Sequence, residues 1–315
     1  ANQYFLRGFN LDHGTDFATS VDGIPVNLPT HAHGQGYTDL NFLIPELVDT
    51  ITYRKGTYYA DEGNFSAAGA AHIEYRRTLA TPFVTFGVGE DGYYRAVAGT
   101  SHEAGPGDLL LAGEVYYNDG PWEVPQDYRK LGLLAKYSGA GGRHGWNVEA
   151  MGYDGRWTST DQLPQRGVRS GAVGRFGSLD PTTGGDTHRY SLSGGGWHRA
   201  GEGRVEAHAY AVDYALQLYS NFTYALDPVQ GDQFEQFEER RYYGGTIEYA
   251  RPAAGPGTSA TFTVGLETRY DDVSPVALYR TRERERYATV REDQVRQWSW
   301  SAYASHETRW NDWLR

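Results

Sequence analysis

The 315-residue chain has no cysteine, a single methionine and no uninterrupted run of eighteen apolar residues. The missing run excludes a transmembrane helix, which needs about 20 apolar residues. The lack of cysteine excludes disulfides, but it fits an exported and a cytosolic protein equally well. Basic residues are also scarce, with 29 Lys and Arg against 40 Asp and Glu and a formal net charge of −11. This balance argues against nucleic-acid binding, which needs a basic face.

Common enzyme motifs are missing from the sequence as well. It contains no His-Glu-x-x-His zinc motif, no phosphate-binding glycine loop before a helix and no Gly-x-Ser-x-Gly elbow. Carboxylates are so numerous that pairs of them carry no information. We therefore predict that the protein is not an enzyme and has no cofactor of its own.

Aromatic residues and glycine are abundant: 25 Tyr, 8 Trp, 12 Phe and 40 Gly. The chain is only 39% hydrophobic and its mean hydropathy is −0.63, values that alone would favour a soluble protein. The aromatic content favours strands that place one face in lipid and carry interfacial girdles. Hydropathy averages miss such strands, because only every second residue is apolar.

Apolar and polar residues alternate from Thr81 onward. In residues 109–117, Leu109, Leu111 and Val115 share one face, whereas Leu110 and Glu114 lie on the other. Period-two alternation means that the two faces of a strand meet different surroundings. Residues 262–266 and 298–304 are expected to form lipid-facing rows. The ten predicted strands are 83–88, 93–101, 109–117, 128–137, 145–153, 189–197, 205–219, 242–249, 261–270 and 295–306.

The connections between these strands alternate in length. Short turns are predicted at 105–107, 138–142, 199–203 and 253–257, and long loops at 118–127, 155–186, 221–239 and 271–293. Outer-membrane barrels have short periplasmic turns and long outer loops, so the long loops are expected to face outside. The charge-alternating run 280–287 is predicted to be a solvated loop with weak ion pairs. The alternative is that its arginines bind lipid headgroups or an anionic ligand.

The first 75 residues differ from the rest and are predicted to form a compact insert. Asp22-Gly23 suits a tight hairpin turn, and Pro45 suits the first turn of a short helix. The predicted elements are a strand at 4–6, a strand at 20–26 broken by the hairpin turn, a helix at 44–48, a strand at 50–54 and a strand at 71–75.

Four pieces of this insert, in their order and spacing, resemble the plug domain of TonB-dependent outer-membrane receptors. The pieces are Leu6-Arg7-Gly8, Val21-Asp22-Gly23-Ile24-Pro25, residues 45–56 (PELVDTITYRKG) and Gly69-Ala70-Ala71-His72-Ile73. The residues carried over as structural members of the plug motif are Arg7, Gly8, Asp22, Gly23, Pro25, Arg54 and Gly56.

The resemblance implies an all-β membrane β-barrel of about 22 antiparallel strands with a small α+β plug domain in its lumen. Residues 1–76 would be the C-terminal portion of the plug and residues 77–315 the N-terminal portion of the barrel. Ten strands alone enclose too little space for a seventy-residue insert, so we interpret the chain as part of such a receptor. The TonB-contacting segment would precede residue 1, and further strands would follow residue 315.

The resemblance also implies a function and partners. It implies TonB-dependent active uptake of a scarce ligand, an iron-siderophore or other metal complex, across the outer membrane of a Gram-negative cell. The implied partners are the TonB-ExbB-ExbD energy-coupling complex, the small-molecule ligand and outer-membrane lipid. Two alternatives stay open: a secreted all-β carbohydrate-binding module or hydrolase with paired inward carboxylates, and a passive porin or surface adhesin.

Residues 27–39 (NLPTHAHGQGYTD) are the predicted ligand-contacting loop, because plug loops of this family rise toward the outer vestibule. His31 and His33 offer imidazole nitrogens that suit zinc, copper or nickel, and Gln35 and Tyr37 would add hydrogen bonds and stacking. The alternative is a polar surface loop whose histidines bind water or main chain. Predicted contacts outside this loop are Asp12 and His13 on a second ligand-facing loop, a buried Arg7–Glu62 ion pair, and Glu114, Glu149, Glu206, His208 and Glu248 on the plug-facing barrel wall.

Overall fold

The structure is a computed structural model that describes residues 3–6, 8–11, 14–159, 161–253, 259–311 and 313–314. It is built almost entirely of β-strands. Its helical segments include a 3-10 helix at Pro45–Leu47 and one short α-helix, α1, at Gln165–Ser170. Among the described residues, no helix has the length and apolar character needed to cross a membrane.

The first 75 residues form a small unit, which we call the N-terminal unit. A two-stranded antiparallel ribbon joins β1 (Tyr4–Leu6) to β2 (Phe9–Leu11). A second, four-stranded sheet has the order β4-β3-β6-β5, with β3 and β6 parallel. Its strands are β3 (Phe17–Val21), β4 (Ile24–Pro25), β5 (Val48–Lys55) and β6 (Gly69–Tyr75).

Local sequence explains the turns of this unit. Asp22 and Gly23 link β3 to β4 with φ angles of 44° and 79°, as the predicted hairpin turn requires. Pro45 begins the 3-10 helix, and β5 ends at Lys55 before Gly56, whose φ is 80°. At Gly69 a Cβ atom would lie 2.2 Å from the carbonyl oxygen of Arg54, so only glycine permits β5 and β6 to approach this closely.

The rest of the chain forms one ten-stranded antiparallel sheet, the large sheet, in which consecutive strands are neighbours. All ten predicted strands are present, most of them longer than predicted. They are β7 (Phe83–Val88), β8 (Tyr94–Ala104), β9 (Gly107–Asn118), β10 (Tyr128–Gly141), β11 (His144–Thr158), β12 (Gly184–Ala200), β13 (Gly203–Ser220), β14 (Phe234–Pro252), β15 (Ser259–Arg282) and β16 (Glu285–Arg309).

The two faces of the large sheet differ as the alternation predicts. On the outward face Leu266 is paired with Ala302, and Trp298 and Trp300 are 64% and 67% exposed. On the opposite face Leu110 and Leu134 are buried in one core with Ile44, Leu47 and other residues of the N-terminal unit. The N-terminal unit therefore packs against the inward face of the large sheet.

Two of the predicted loops are wrong. Residues 271–293 are not a loop: β15 continues to Arg282, and β16 begins at Glu285 after a two-residue turn at Glu283-Arg284 with φ angles of 52° and 70°. Arg286 of this charged run donates to Glu235 of β14 at 2.6 Å, whereas Arg280, Arg282 and Glu285 are exposed on the strands. The predicted loop 221–239 shortens for the same reason, because β14 begins at Phe234.

The remaining long connections lie at one end of the strands of the large sheet, which we call the long-loop edge. They are residues 119–127, 159–183 and 221–233, and the extended β15–β16 hairpin projects from the same edge. Connections at the opposite edge include two-residue turns at 105–106, 142–143 and 201–202. The predicted alternation of long and short connections is therefore confirmed for these parts of the chain.

Candidate ligand-binding site

Residues 25–33 of the N-terminal unit run along the inward face of β14 toward the long-loop edge. Every second residue of β14 points at this segment, because side chains of a strand alternate between faces. We call the four residues involved the wall row; they are Gln236, Glu238, Arg240 and Tyr242. The wall row and residues 25–33 together position everything else in the site.

The wall row holds the N-terminal unit by its main chain. The main chain of Ala32 makes two hydrogen bonds with the wall row. Its N–H donates to Glu238 Oε2 at 2.9 Å, and its carbonyl accepts from Gln236 Nε2 at 2.8 Å. Further along, Arg240 donates to the carbonyl of Thr30 at 2.8 Å, and Tyr242 donates to the carbonyl of Pro25 at 3.1 Å. Main-chain recognition thus contributes four hydrogen bonds that hold residues 25–33 to β14.

Buried charges support the wall row. Arg240 is 2% exposed and donates to Glu238 and to Asp271, each at 2.7 Å. Asp271 also accepts from Arg269 at 2.7 and 2.9 Å, and Arg269 donates to the carbonyl of Asn27 at 2.9 Å. Two arginines thus balance two carboxylates away from water. A buried charge that loses its partner is strongly destabilising, so the four residues act as one group.

The structure brings His31 and His33 together, and both contact the large sheet. The His31 ring is buried, stacks on Tyr37 with 4.0 Å between ring centroids, and places Nε2 3.1 Å from Tyr214 Oη. Its Nδ1 accepts the main-chain N–H of His33 at 3.1 Å. His33 Nδ1 lies 2.9 Å from Gln236 Oε1. Within the described part of the chain, no group of three or more His, Cys, Asp or Glu residues is arranged to hold a metal ion.

The other predicted contact residues occupy different surroundings. Gln35 is exposed, and its Oε1 accepts the N–H of Thr30 at 2.7 Å, which shapes the loop. Tyr37 is buried against the histidines, and burial raises the pKa of its hydroxyl well above the ordinary value. Burial likewise raises the pKa of the nearby Asp39 carboxyl. The predicted contacts Asp12 and His13 lie outside the described residues.

The plug-motif residues cluster around turns and one carboxylate. Gly8, Gly23 and Gly56 all have positive φ angles. Glu62, predicted to pair with Arg7, accepts from Arg54 at 2.9 Å and lies 2.7 Å from His72 Nε2. Arg7 itself lies outside the described residues, so its part of the predicted pair stays a prediction.

A second set of contacts joins the two units away from the long-loop edge. Lys136 Nζ lies 2.7 Å from Asp22 Oδ2 and 3.5 Å from Glu149 Oε2. Here the N-terminal unit contributes a side-chain carboxylate to a cation of the wall.

Glu46 makes the same kind of contact. It accepts two hydrogen bonds from Arg95, at 2.6 and 2.8 Å, and Arg95 also donates to Glu114 at 2.6 Å. The Arg95 guanidinium holds the pKa of Glu46 below its usual range. The remaining predicted wall residues, Glu206, His208 and Glu248, line a cavity beside Asp22 and Gly23.

An open pocket, which we call the outer pocket, adjoins the wall row at the long-loop edge. Phe234 and Gln236 lie two residues apart on the inward face and pair with Arg280 and Leu278 of β15. The pocket holds about 650 Å³, a size typical of small-molecule sites. Its lining includes Phe222, Leu226, Asp227, Asp232, Phe234, Gln236, Leu278, Arg280 and Val290.

The outer pocket was missed in the sequence analysis, because its residues fall in the segments predicted as loops 221–239 and 271–293. The signal that could have found it is the group of apolar residues Phe222, Leu226 and Phe234 inside an expected polar loop. Phe222 and Phe234 pack edge to face with 5.5 Å between ring centroids. Arg280 is exposed and brings a cation to a lining in which apolar residues are mixed with Asp227 and Asp232.

Comparison with known proteins agrees with this architecture. Residues 1–70 match the family model described as TonB-dependent Receptor Plug Domain. Three similar solved structures are the ferric citrate transporter FecA in its unliganded form (TM-score 0.76, 15% identity), the siderophore receptor PiuA from Acinetobacter baumannii (0.73, 11%) and the copper transporter OprC (0.67, 14%). The matches cover 98%, 98% and 93% of this chain. No curated protein sequence matches it.

The chain spans about half the length of these solved structures: 47% of FecA, 50% of PiuA and 44% of OprC. At these identities the likeness shows the fold, and it confirms the predicted class of a β-barrel with a plug domain. Residues 1–70 are thus a plug domain of the TonB-dependent receptor family, and the chain as a whole has the fold of these receptors.

Proposed function

We propose that the protein takes up a scarce ligand, an iron-siderophore or other metal complex, across the outer membrane of a Gram-negative bacterium. In this proposal residues 1–76 are part of the plug, residues 77–315 are part of the barrel, and TonB-ExbB-ExbD supplies the energy. The plug-domain match supports it, as do similar structures whose titles name ferric citrate, siderophore and copper transport. The protein breaks no bond in its ligand and is not an enzyme.

The observation that carries the proposal is the outer pocket next to the plug segment 25–33. A pocket whose apolar and aromatic side chains alternate with Arg280, Asp227 and Asp232 suits a small molecule that has both apolar and polar groups. The Asp227 carboxylate also shapes the loop, because it accepts the N–H groups of Val229 and Gln230. These bonds hold the pKa of Asp227 below its usual range.

The wall row explains why energy is needed. Transport through the lumen requires residues 25–33 to leave a set of buried, fully paired charges, and such a change must be driven. Ligand binding can contribute only as much as its affinity differs between the docked and released plug. TonB-coupled force supplies the remainder in this proposal.

Uptake assays in cells that express the complete protein test the proposal. Iron(III) complexes of citrate, a tricatecholate and a trihydroxamate, together with Cu(II), form the panel. We expect uptake of at least one member, and its loss when TonB is absent. A passive porin would continue to conduct without TonB, and deletion of residues 1–76 would leave its conductance unchanged. A carbohydrate-binding module would stay monodisperse without detergent.

His31 and His33 as direct metal ligands form a separate proposal. Direct ligation predicts that Cu(II) or Zn(II) alone raises the melting temperature of the ligand-free protein, and that the double variant His31→Ala, His33→Ala abolishes this rise. His188→Ala, on the outward face beside Asp213, is the matched control. No metal-dependent rise, combined with unchanged uptake of every complex by the double variant, would remove this proposal while leaving chelate uptake standing.

A further inference from the structure

Gln236 contacts both the outer pocket and the plug. Its side chain lines the outer pocket, and the same amide holds the plug through Ala32 and His33. Nε2 donates to the carbonyl of Ala32 at 2.8 Å, and Oε1 lies 2.9 Å from His33 Nδ1. The Gln236 amide therefore uses both its donor and its acceptor to bind two consecutive plug residues.

The wall row becomes more accessible and less charged toward the pocket. Tyr242, Arg240 and Glu238 are almost fully buried, and two of them carry paired charges. Gln236 is neutral and only half-buried. Neutral hydrogen bonds contribute less than charge-assisted ones, so Gln236 holds the plug less strongly than Arg240 and Glu238 do, and it is the contact that a molecule in the pocket reaches first.

We propose that Gln236 couples the outer pocket to the plug: a ligand in the pocket takes over its amide and thereby breaks its contacts with residues 32 and 33, while Glu238 still holds the N–H of Ala32. Carbonyl or carboxylate oxygens of the ligand would accept from Nε2, and ligand hydroxyl or amide groups would donate to Oε1. The released plug segment would then be held by the deeper charged contacts only. This inference rests on the proposed function, and it gives binding a direct effect on the plug.

A cysteine reporter measures the release in the complete protein. Residues 1–315 contain no cysteine, so Ala32→Cys introduces a single thiol in a background from which any cysteine outside these residues has been removed. The contacts of residue 32 with the wall are kept because they use its main chain. In the ligand-free protein we expect Gln236→Leu to raise the rate of maleimide labelling about tenfold, since two hydrogen bonds are lost. Gln217→Leu is the control: Gln217 lies on the opposite face of neighbouring β13 and bonds Glu235 and Tyr219. Its labelling should change less than about twofold.

The ligand arm uses iron(III) citrate and an iron(III) tricatecholate as probes. A probe that binds should raise labelling of the Ala32→Cys reporter about tenfold. In the Gln236→Leu background the bound probe should add no further increase. An unchanged labelling rate in ligand-free Gln236→Leu, or an equal probe-induced rise with and without Gln236, would overturn the coupling role. If neither probe binds, the proposed function loses its support for these ligands, and the ligand-free comparison alone decides whether Gln236 fastens the plug.

Discussion

The plug meets the barrel wall in two regions that use opposite chemistry. Near the long-loop edge the wall provides the side chains and the plug provides main chain, as in the contacts of Arg240 with Thr30 and of Glu238 with Ala32. Away from that edge the plug provides the carboxylate of Asp22 to Lys136 of the wall, and at the long-loop end of β8 Glu46 makes the same kind of contact with Arg95. We call the contacts of β14 with residues 25–33 the upper region and the contact of Lys136 with Asp22 the lower region. The comparison indicates that the upper region is sensitive to substitutions in the wall and the lower region to substitutions in the plug.

The largest expected effect comes from a substitution in the wall at the upper region. Arg240→Met leaves Glu238 buried without its cation, and we expect a loss of about 3–5 kcal/mol in unfolding free energy. Arg241→Met is the matched control, because Arg241 points outward and makes an exposed pair with Asp213 that should contribute little to stability. Denaturant unfolding in detergent measures both. Equal losses in the two variants would contradict the special role of the wall row.

The next largest effect is expected from a substitution in the plug at the lower region. Asp22→Asn keeps a residue that tolerates the positive φ of the turn, but it removes the charge that faces Lys136. We expect a loss of about 1.5–3 kcal/mol. The variant should leave labelling of the Ala32→Cys reporter unchanged, because the two regions make separate contacts. A stability equal to that of the unsubstituted protein would show that Glu149 alone satisfies Lys136.

A pH series tests the contact of Glu46 with Arg95. Because Arg95 lowers the folded-state pKa of Glu46 below 4.5, the pair stabilises the protein above that value and loses its effect as pH falls through the folded-state pKa. Glu46→Gln should therefore lower the melting temperature slightly at about pH 7 and have no effect at about pH 3. A difference that stays constant between these two conditions would contradict the pairing.

The smallest expected effect is a plug substitution in the upper region. Thr30→Ala removes a side chain whose hydroxyl lies 3.4 Å from Gln297, while the carbonyl that binds Arg240 stays in place. We expect a change of only a few tenths of a kcal/mol. Uptake should also be unchanged. A loss comparable to that of Asp22→Asn would show that plug side chains matter in the upper region as well.

Much of the fold follows from local sequence. Period-two alternation located all ten strands of the large sheet, and Asp22-Gly23 and Pro45 located a turn and a helix in the plug. The error at 271–293 has a local cause: the alternating charges of residues 280–287 indicated a loop, but these residues lie at the ends of two paired strands, and Arg286 reaches Glu235 of β14 across β15. A strand and a solvated loop with alternating charges have the same sequence pattern, so the pattern alone does not distinguish them.

The site was less predictable, because its members are far apart in the sequence. His31 contacts Tyr214 and His33 contacts Gln236, separations of 183 and 203 residues. Residues 27–39 were chosen on a family resemblance, and their role as ligand contacts stays a prediction. Nothing in the histidine spacing indicates that both rings face a wall, since the partner strand is defined only by the register of the large sheet.

The central claim is that residues 25–33 must leave the wall for transport to occur. Joining Ala32→Cys to Gln236→Cys through a disulfide or a short bis-thiol linker tests it directly, because residues 1–315 contain no other thiol and any cysteine elsewhere in the complete protein is removed beforehand. Uptake of the transported iron(III) complex is measured with the link closed and, for the disulfide, after reduction. The account predicts that the closed link abolishes TonB-dependent uptake and that reduction restores it. Undiminished uptake with the link fully formed would contradict the account.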